Sequence, residues 1–335
     1  MSSPSVPSSP ARSGRIVVTG GAGFLGNAFV VALRRRFPGA EVVALDVRHG
    51  PGVTIGDITD ADGLAGQLAG ADLLVHTAAV VEESGPVEAM WRVNVEGTRS
   101  VLAAAAAAGV PAVLHLSSIV VHGPSFPDGV DESGAVRMSG NPYTDTKVAA
   151  EHQALLAAAR GLPVAVVRPG DVYGPGSSPW TMRPVATMRS GHFRLMDRGR
   201  GILSPVFVDD LVEGSLSLLE PSTAVPRLRA HAVGEVFHVT GGVGVPAVEF
   251  FGYYARMLGV RLRSVPSRLV RATAPVLERL PLPFSPRIVE YLSHPGTYSI
   301  AKIGRVTGWR PQVELTEGME RTERWLRERA LIPRG

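Results

Sequence analysis

A run of β-branched residues, Ile16-Val17-Val18-Thr19, leads directly into Gly20-Gly21-Ala22-Gly23-Phe24-Leu25-Gly26 and then into a helical pattern. Few folds tolerate that order. Gly21, Gly23 and Gly26 have the G-x-G-x-x-G spacing, after a strand and at the start of a helix, where the motif has a physical meaning. The glycines allow a tight turn and let backbone N–H groups approach a pyrophosphate. The helix N-terminus adds its partial positive charge.

The rest of the first half repeats the alternation. Short apolar runs over residues 15–19, 41–46, 71–77, 112–117 and 164–168 read as strands, and residues 26–37 as a helix. An Ala-rich helix lies between the third and fourth runs. Such runs, separated by helical patterns, indicate βαβ units on a parallel sheet. The expected class is α/β, a Rossmann-type doubly wound parallel sheet with a smaller C-terminal substrate-binding lobe. Residues 15–175 are expected to form mainly the NAD-binding domain, and 176–335 mainly the substrate lobe. Isolated strands are expected at 206–208 and 236–239, and some segments of the lobe would return to the sheet. Residues 1–14, rich in Ser and Pro, read as a disordered tail and not a signal peptide.

Composition narrows the chemistry. The chain of 335 residues has no cysteine, which removes disulfides, thiolate catalysis and Cys-based zinc sites, and no metal is expected. The same absence suits a reducing compartment, and a cytoplasmic protein is expected. The formal net charge is only +4, and no block of like charge points to nucleic acid. Arg34-Arg35-Arg36 closes the first helix, where cations suit the dipole. The longest apolar stretch, residues 101–116, is interrupted by Gly109 and Pro111, so no stable membrane span is expected.

Asp46 ends the second strand. A carboxylate there would accept both ribose hydroxyls of NAD and repel the 2′-phosphate of NADP. Arg48 nearby is the residue that would accommodate that phosphate. The balance favours NAD, with NADP left open.

In this order the chain carries T-G-G-A-G-F-L-G at residues 19–26, G-D-I-T-D at 56–60, H-T-A-A at 76–79 and N-V-E-G-T at 94–98. S-S-I-V-V-H-G at 117–123, Y-T-D-T-K at 143–147, R-P-G-D-V-Y-G-P-G at 168–176 and F-V-D-D-L at 207–211 follow. This series resembles the extended short-chain dehydrogenase/reductase family, within the NAD-dependent epimerase/dehydratase superfamily, along nearly the whole folded length. It is nearest the 3β-hydroxysteroid dehydrogenase-like branch. The resemblance implies that Gly20, Gly21, Gly23, Phe24, Leu25 and Gly26 cradle the cofactor. It puts Asp57 and Ile58 at the adenine, and Ala78 and Ala79 on the nicotinamide side. Asn94, Pro169, Tyr143 and Lys147 complete the cofactor set. His76 reads as structural. His122 stands where many relatives have Tyr, and lining the pocket or packing are equal readings.

The resemblance also implies the catalysts Ser118, Tyr143 and Lys147. Ser118 is preferred to Ser117 because the second serine of the family's S-S-x-x-V-Y-G is the active one. Tyr143 and Lys147 are four residues apart and share a helix face. A phenol has an unperturbed pKa near 10, and a neighbouring ammonium is expected to lower it. Lys147 would also bind the nicotinamide ribose.

The reaction expected is interconversion of a ketone and a secondary alcohol on an apolar substrate of steroid, terpenoid or β-keto acyl type. Nucleotide-sugar enzymes commonly carry R-D-[FY] before V-x-D. Here the segment is Leu203-Ser204-Pro205-Val206-Phe207-Val208-Asp209, without the arginine that would grip a diphosphate. Arg183, Arg198 or Arg200 keeps an NDP-sugar epimerase or dehydratase as the alternative. A non-catalytic NAD-binding sensor is disfavoured, since Tyr143 and Lys147 are both intact. Residues 267–284 read as an amphipathic lid, a membrane-contacting patch or a packed helix. A homodimer through helices beginning near Pro86 and Tyr143 is expected by likeness, with the Ala-rich face of residues 101–108 allowing close approach.

Overall fold

The computed structural model describes residues 14–81, 86–221, 225–277 and 288–333. Seven parallel strands form one sheet. In chain order they are β1 (Arg15–Thr19), β2 (Glu41–Asp46), β3 (Val53–Ile55), β4 (Leu73–His76), β5 (Val113–Leu116), β6 (Val164–Pro169) and the strand Val236–Val239. Their order in space is Val236–Val239, β6, β5, β4, β1, β2, β3. Thr19 is in register with His76 and Leu116 with Val167, so the C-terminal ends of the central strands lie side by side. The strand order reverses direction at β1 and β4, and ligands of open α/β sheets bind at such a switch point.

The central strands are buried on both faces. Every residue of β4 and β5 is buried, which fits their near-continuous apolar runs. On one face α2 (Ala61–Leu68), α4 (Thr98–Ala107) and α5 (Pro142–Ala159) cover Val17, Leu74, Val113 and Val164. On the other, α1 (Phe24–Arg36) and the helix Val208–Leu216 cover a larger core that runs on to Phe250, Tyr254 and Met319. The Ala-rich run is therefore largely used within the chain: Val101, Leu102, Ala104 and Ala105 are buried in its own core, and Ala103, Ala106 and Ala107 remain exposed.

The strands over 15–19, 41–46 and 236–239 lie where the residue pattern puts them. Residues 71–77 and 112–117 shorten to β4 and β5. Residues 206–208 do form a strand, displaced by one to Pro205–Phe207, but it pairs with β7 (Asp171–Tyr173) in a separate two-stranded sheet. The tail over 1–14 lies outside the described residues except for Gly14, and so does 278–284 of the amphipathic segment. Its described part, Ser267–Leu277, is helical. Among the described residues no helix is long and apolar enough to cross a membrane, and no cluster of three or more His, Cys, Asp or Glu could hold a metal.

Candidate active site

The first turn after β1 is shaped by two glycine constraints. Gly20 sits at φ +71°, and a Cβ there would lie 2.8 Å from the Ala78 backbone. A Cβ on Gly26 would lie 2.0 Å from the Gly20 carbonyl oxygen, so only glycine lets α1 start this close to the turn. Gly23 precedes α1, and no side chain caps that helix N-terminus. Its first N–H groups stay available to an anion. Gly21 serves another purpose than lining: a Cβ on it would meet Ala44 at 2.7 Å, and its N–H donates to the Leu45 carbonyl.

Asp46 closes the far side of this turn. Its Oδ2 accepts the Ala22 N–H at 3.0 Å, and the Arg48 guanidinium lies across both carboxylate oxygens at 3.2 Å. Burial pushes this carboxyl up, but the hydrogen bonds from Arg48 and Ala22 outweigh it and hold the pKa below the usual value. The Arg48 side chain is 61 % exposed and that of Asp46 only 6 %, so a buried carboxylate meets a guanidinium that faces solvent.

A cavity of about 1300 Å³ opens over the strand ends. Gly20, Gly23, Phe24, Leu25, Gly26, Asp46, Arg48, Asp57, Ile58, Ala78, Ala79, Ser118, Tyr143 and Pro169 all line it. The glycine turn, the open helix end and Asp46 thus fit a dinucleotide along one wall. Trp180, Met196, Phe251 and Tyr291 line it from the C-terminal half.

Three expected site residues stand behind that wall. Gly21 packs on β2 as described. Asn94, in a π-helical stretch Arg92–Gly97 between α3 (Val87–Trp91) and α4, is 1 % exposed. It accepts the Val80 N–H at 2.7 Å, and its amide donates to the Val80 carbonyl and to Thr146 Oγ1, both at 3.1 Å. It ties the backbone after β4 to α5 and does not face the cavity. Lys147 is buried, and its Nζ donates to the Leu116 carbonyl at 2.6 Å.

The local sequence sets Tyr143 firmly. Asn141 caps α5, its Oδ1 accepting the N–H groups of Tyr143 and Thr144 at 3.0 and 3.1 Å, and Pro142 occupies the first turn. Tyr143, Lys147 and Glu151 then recur every four residues on the face turned to β5 and β6. Tyr143 and Ser118 line the same cavity, and Ser118 acts to lower the pKa of the phenol. Ser117 is committed elsewhere, its Oγ donating to Glu151 Oε2 at 2.6 Å.

One expectation is corrected. Lys147 was expected to lower the Tyr143 pKa. Burial dominates instead and pushes the phenol up to about 12, opposed only by Ser118. Burial likewise brings Lys147 down to about 8, with the Glu151 carboxylate opposing it. Tyr143 is thus a protonated acid at neutral pH.

Behind Ser117 lies a buried polar network. Arg168 donates to both Glu151 oxygens at 2.9 and 2.6 Å, with side chains 3 % and 2 % exposed. His122 Nε2 lies 3.1 Å from Arg168 Nη1 and 2.9 Å from His238 Nε2. Burial and the Arg168 charge lower His122 to about 4. His122 packs inside this network and does not line the cavity. His76 is structural, with Nδ1 2.7 Å from Thr19 Oγ1 and Nε2 3.0 Å from Thr98 Oγ1.

The residue pattern did not single out Asp171 or Tyr291. Asp171 is 2 % exposed in the cavity wall, where burial raises its carboxyl to about 6. A charged residue inside the apolar run around R-P-G-D-V-Y was the available signal. Nothing local marks Tyr291, which lies 120 residues away in the chain.

Comparison with known proteins agrees with this architecture. The model of the family described as NAD dependent epimerase/dehydratase matches residues 16–234. A 2-alkyl-3-oxoalkanoate reductase of Stenotrophomonas maltophilia is 27% identical, covering 92% of this chain and 98% of the relative. A 3-beta-hydroxysteroid dehydrogenase of Mycolicibacterium neoaurum is also 27% identical, covering 91% and 89%. The dTDP-glucose 4,6-dehydratase of Streptomyces venezuelae, solved with NAD bound, is 29% identical with a TM-score of 0.74, covering 94% and 97%. The chain belongs to the NAD dependent epimerase/dehydratase family, the extended short-chain dehydrogenases/reductases, and is an NAD-dependent oxidoreductase.

Proposed function

We propose that the chain interconverts a ketone and a secondary alcohol on an apolar skeleton of steroid, terpenoid or β-keto acyl type, with Tyr143 as the acid/base. The observation that carries this reading is the apolar lining that Trp180, Met196 and Phe251 give the cavity. The segment 203–207 is buried outside that lining and carries no arginine that could meet a diphosphate. Burying apolar substrate surface against that lining is worth about 25 cal/mol per Å². A diphosphate would leave charges to be satisfied. The names of the reductase and hydroxysteroid dehydrogenase relatives support the same reading.

A reduced dinucleotide held by the glycine turn and Asp46 would supply the hydride for the reduction. Ser118 holds the carbonyl oxygen, and the Tyr143 O–H bond breaks as its proton passes to that oxygen. A phenol pushed up to about 12 stays protonated until the alkoxide forms. Lys147, anchored on the Leu116 carbonyl, stands behind the cavity wall one helical turn beyond Tyr143. Asp46 selects the diphosphopyridine nucleotide without a 2′-phosphate.

The nucleotide-sugar alternative is favoured by one observation: Arg183, Arg194 and Arg271 also line the cavity. An NADH and NADPH oxidation screen against ketosteroids, β-keto acyl compounds, aryl ketones and UDP- or dTDP-sugars separates the two. Turnover of the apolar ketones is expected, and turnover of the sugar nucleotides alone refutes the proposal. We further assign the chain to the cytoplasm and to a homodimer built on α3 and α5, where Val87 and Trp91 are 41 % and 39 % exposed. Sedimentation showing only monomer at micromolar concentration contradicts the dimer.

A further inference from the structure

Asp171 has an unusual setting for a carboxylate. It is buried in the wall of the cavity that Tyr143 and Ser118 share. No lysine, arginine or histidine among the described residues forms an ion pair with it. Its Oδ1 accepts the Tyr291 hydroxyl at 2.6 Å, and its Oδ2 accepts the Ser204 N–H at 2.7 Å. A carboxylate offers about four acceptor positions, so two remain. Burying a charge without a paired cation is costly unless hydrogen bonds replace the lost water, and burial does raise this carboxyl to about 6. The group is also close to the chemistry: its partner Tyr291 lines the same cavity as Tyr143.

We propose that Asp171 is a specificity-determining residue that accepts a hydrogen bond from a hydroxyl or N–H of the substrate near the reacting carbon. Tyr291 orients it. The inference rests on the ketone/alcohol reading of this site and narrows it. The substrate is an apolar skeleton with a donor group beside the ketone, such as a hydroxyketone, and not a bare hydrocarbon ketone. A site built to pair a substrate hydroxyl discriminates strongly against the analogue that lacks it, because its own polar group is then left unpaired.

The bland account is a tether: Asp171 joins β7, Ser204 and the helix Ile288–Leu292. Matched substrates separate the accounts, since a tether acts on both alike. The probes are a 3-ketosteroid and the same steroid with a hydroxyl on the carbon beside the ketone, assayed with NADH. The wild-type protein is expected to favour the hydroxyketone by about tenfold or more in kcat/KM, mainly through KM, the effect of one hydrogen bond of about 1.4 kcal/mol. Asp171→Leu, which removes the acceptor, should bring that ratio towards one, and Tyr291→Phe, which removes the tether but keeps the acceptor, should preserve it. A wild-type ratio near one, or equal losses on both substrates in both variants, overturns the proposal. If neither steroid oxidises NADH, the wider reading fails. Calorimetry of the same pair on the NADH-loaded protein then decides this one: tighter binding of the hydroxyketone that Asp171→Leu abolishes supports it, and equal or absent binding overturns it.

Discussion

Replacing Glu151 by leucine strands Arg168 in the core. The two side chains are 2 % and 3 % exposed and joined by two hydrogen bonds, at 2.9 and 2.6 Å. No second carboxylate pairs with Arg168 among the described residues. His122 and His238 beside it are held neutral by burial, at about 4 and about 3. Removing one partner of a buried pair costs about 3–5 kcal/mol, because the remaining charge is uncompensated. Unfolding entropy is about 2.1 cal/mol/K per residue, which over 335 residues gives about 0.7 kcal/mol/K. Glu151→Leu should thus lower Tm by about 4–7 °C, measured by calorimetry or circular dichroism. Arg168→Met should cost a similar amount, and the double variant should lie nearer the wild type than either single one. The same substitution acts on catalysis. The Glu151 charge opposes the burial that lowers Lys147, so without it the ammonium titrates below about 8 and kcat falls on the alkaline side at a lower pH. A Glu151→Leu protein within about 1.5 °C of the wild type, or a double variant whose loss equals the sum, would refute the reasoning.

Asp46→Ala removes the acceptor that the ribose hydroxyls need and the charge that repels a 2′-phosphate, leaving Arg48 unpaired. The preference for NADH over NADPH in kcat/KM should shrink by about tenfold or more, about 1.4 kcal/mol. A wild-type protein that prefers NADPH would show that Arg48 governs the choice. Lys147 titrates at about 8 in the folded protein against 10.5 unfolded. Between those values the unfolded chain binds more protons, so stability rises with pH, by about 1.4 kcal/mol per unit. Relative to Lys147→Met, the wild type should gain about 2 kcal/mol between pH 8 and 9.5 in urea unfolding. Parallel curves for the two proteins would contradict the buried ammonium.

Much of the fold and part of the site are legible in the residues alone. The strand, glycine turn and helix at 15–36 carry their own geometry. The four-residue spacing of Tyr143, Lys147 and Glu151 puts them on one helix face. Other features depend on partners distant in the chain. Val53–Ile55 is three residues long and on the sheet edge, with Val53 partly buried and Thr54 and Ile55 exposed, so it lacks a buried apolar run. The strand at 205–207 is legible, but its pairing with β7 is not. Glu151 meets Arg168 across 17 residues and Asp171 meets Tyr291 across 120, distances no local pattern spans. The wrong sign expected for Tyr143 has the same origin. Spacing reports a neighbouring charge, whereas the burial that outweighs it belongs to the assembled wall.

The central claim is that Tyr143 hands a proton to a substrate oxygen while a hydride moves from the nicotinamide to the adjoining carbon. Reduction of a ketosteroid with NADH carrying deuterium at the transferable position tests it most directly. Mass spectrometry should find one deuterium on the carbinol carbon and one equivalent of NAD formed. Tyr143→Phe should give the same product about 10²–10⁴-fold more slowly while still binding NADH. Alcohol without deuterium, a rate unaffected by Tyr143→Phe, or a converted sugar nucleotide with no net cofactor consumed would contradict the account.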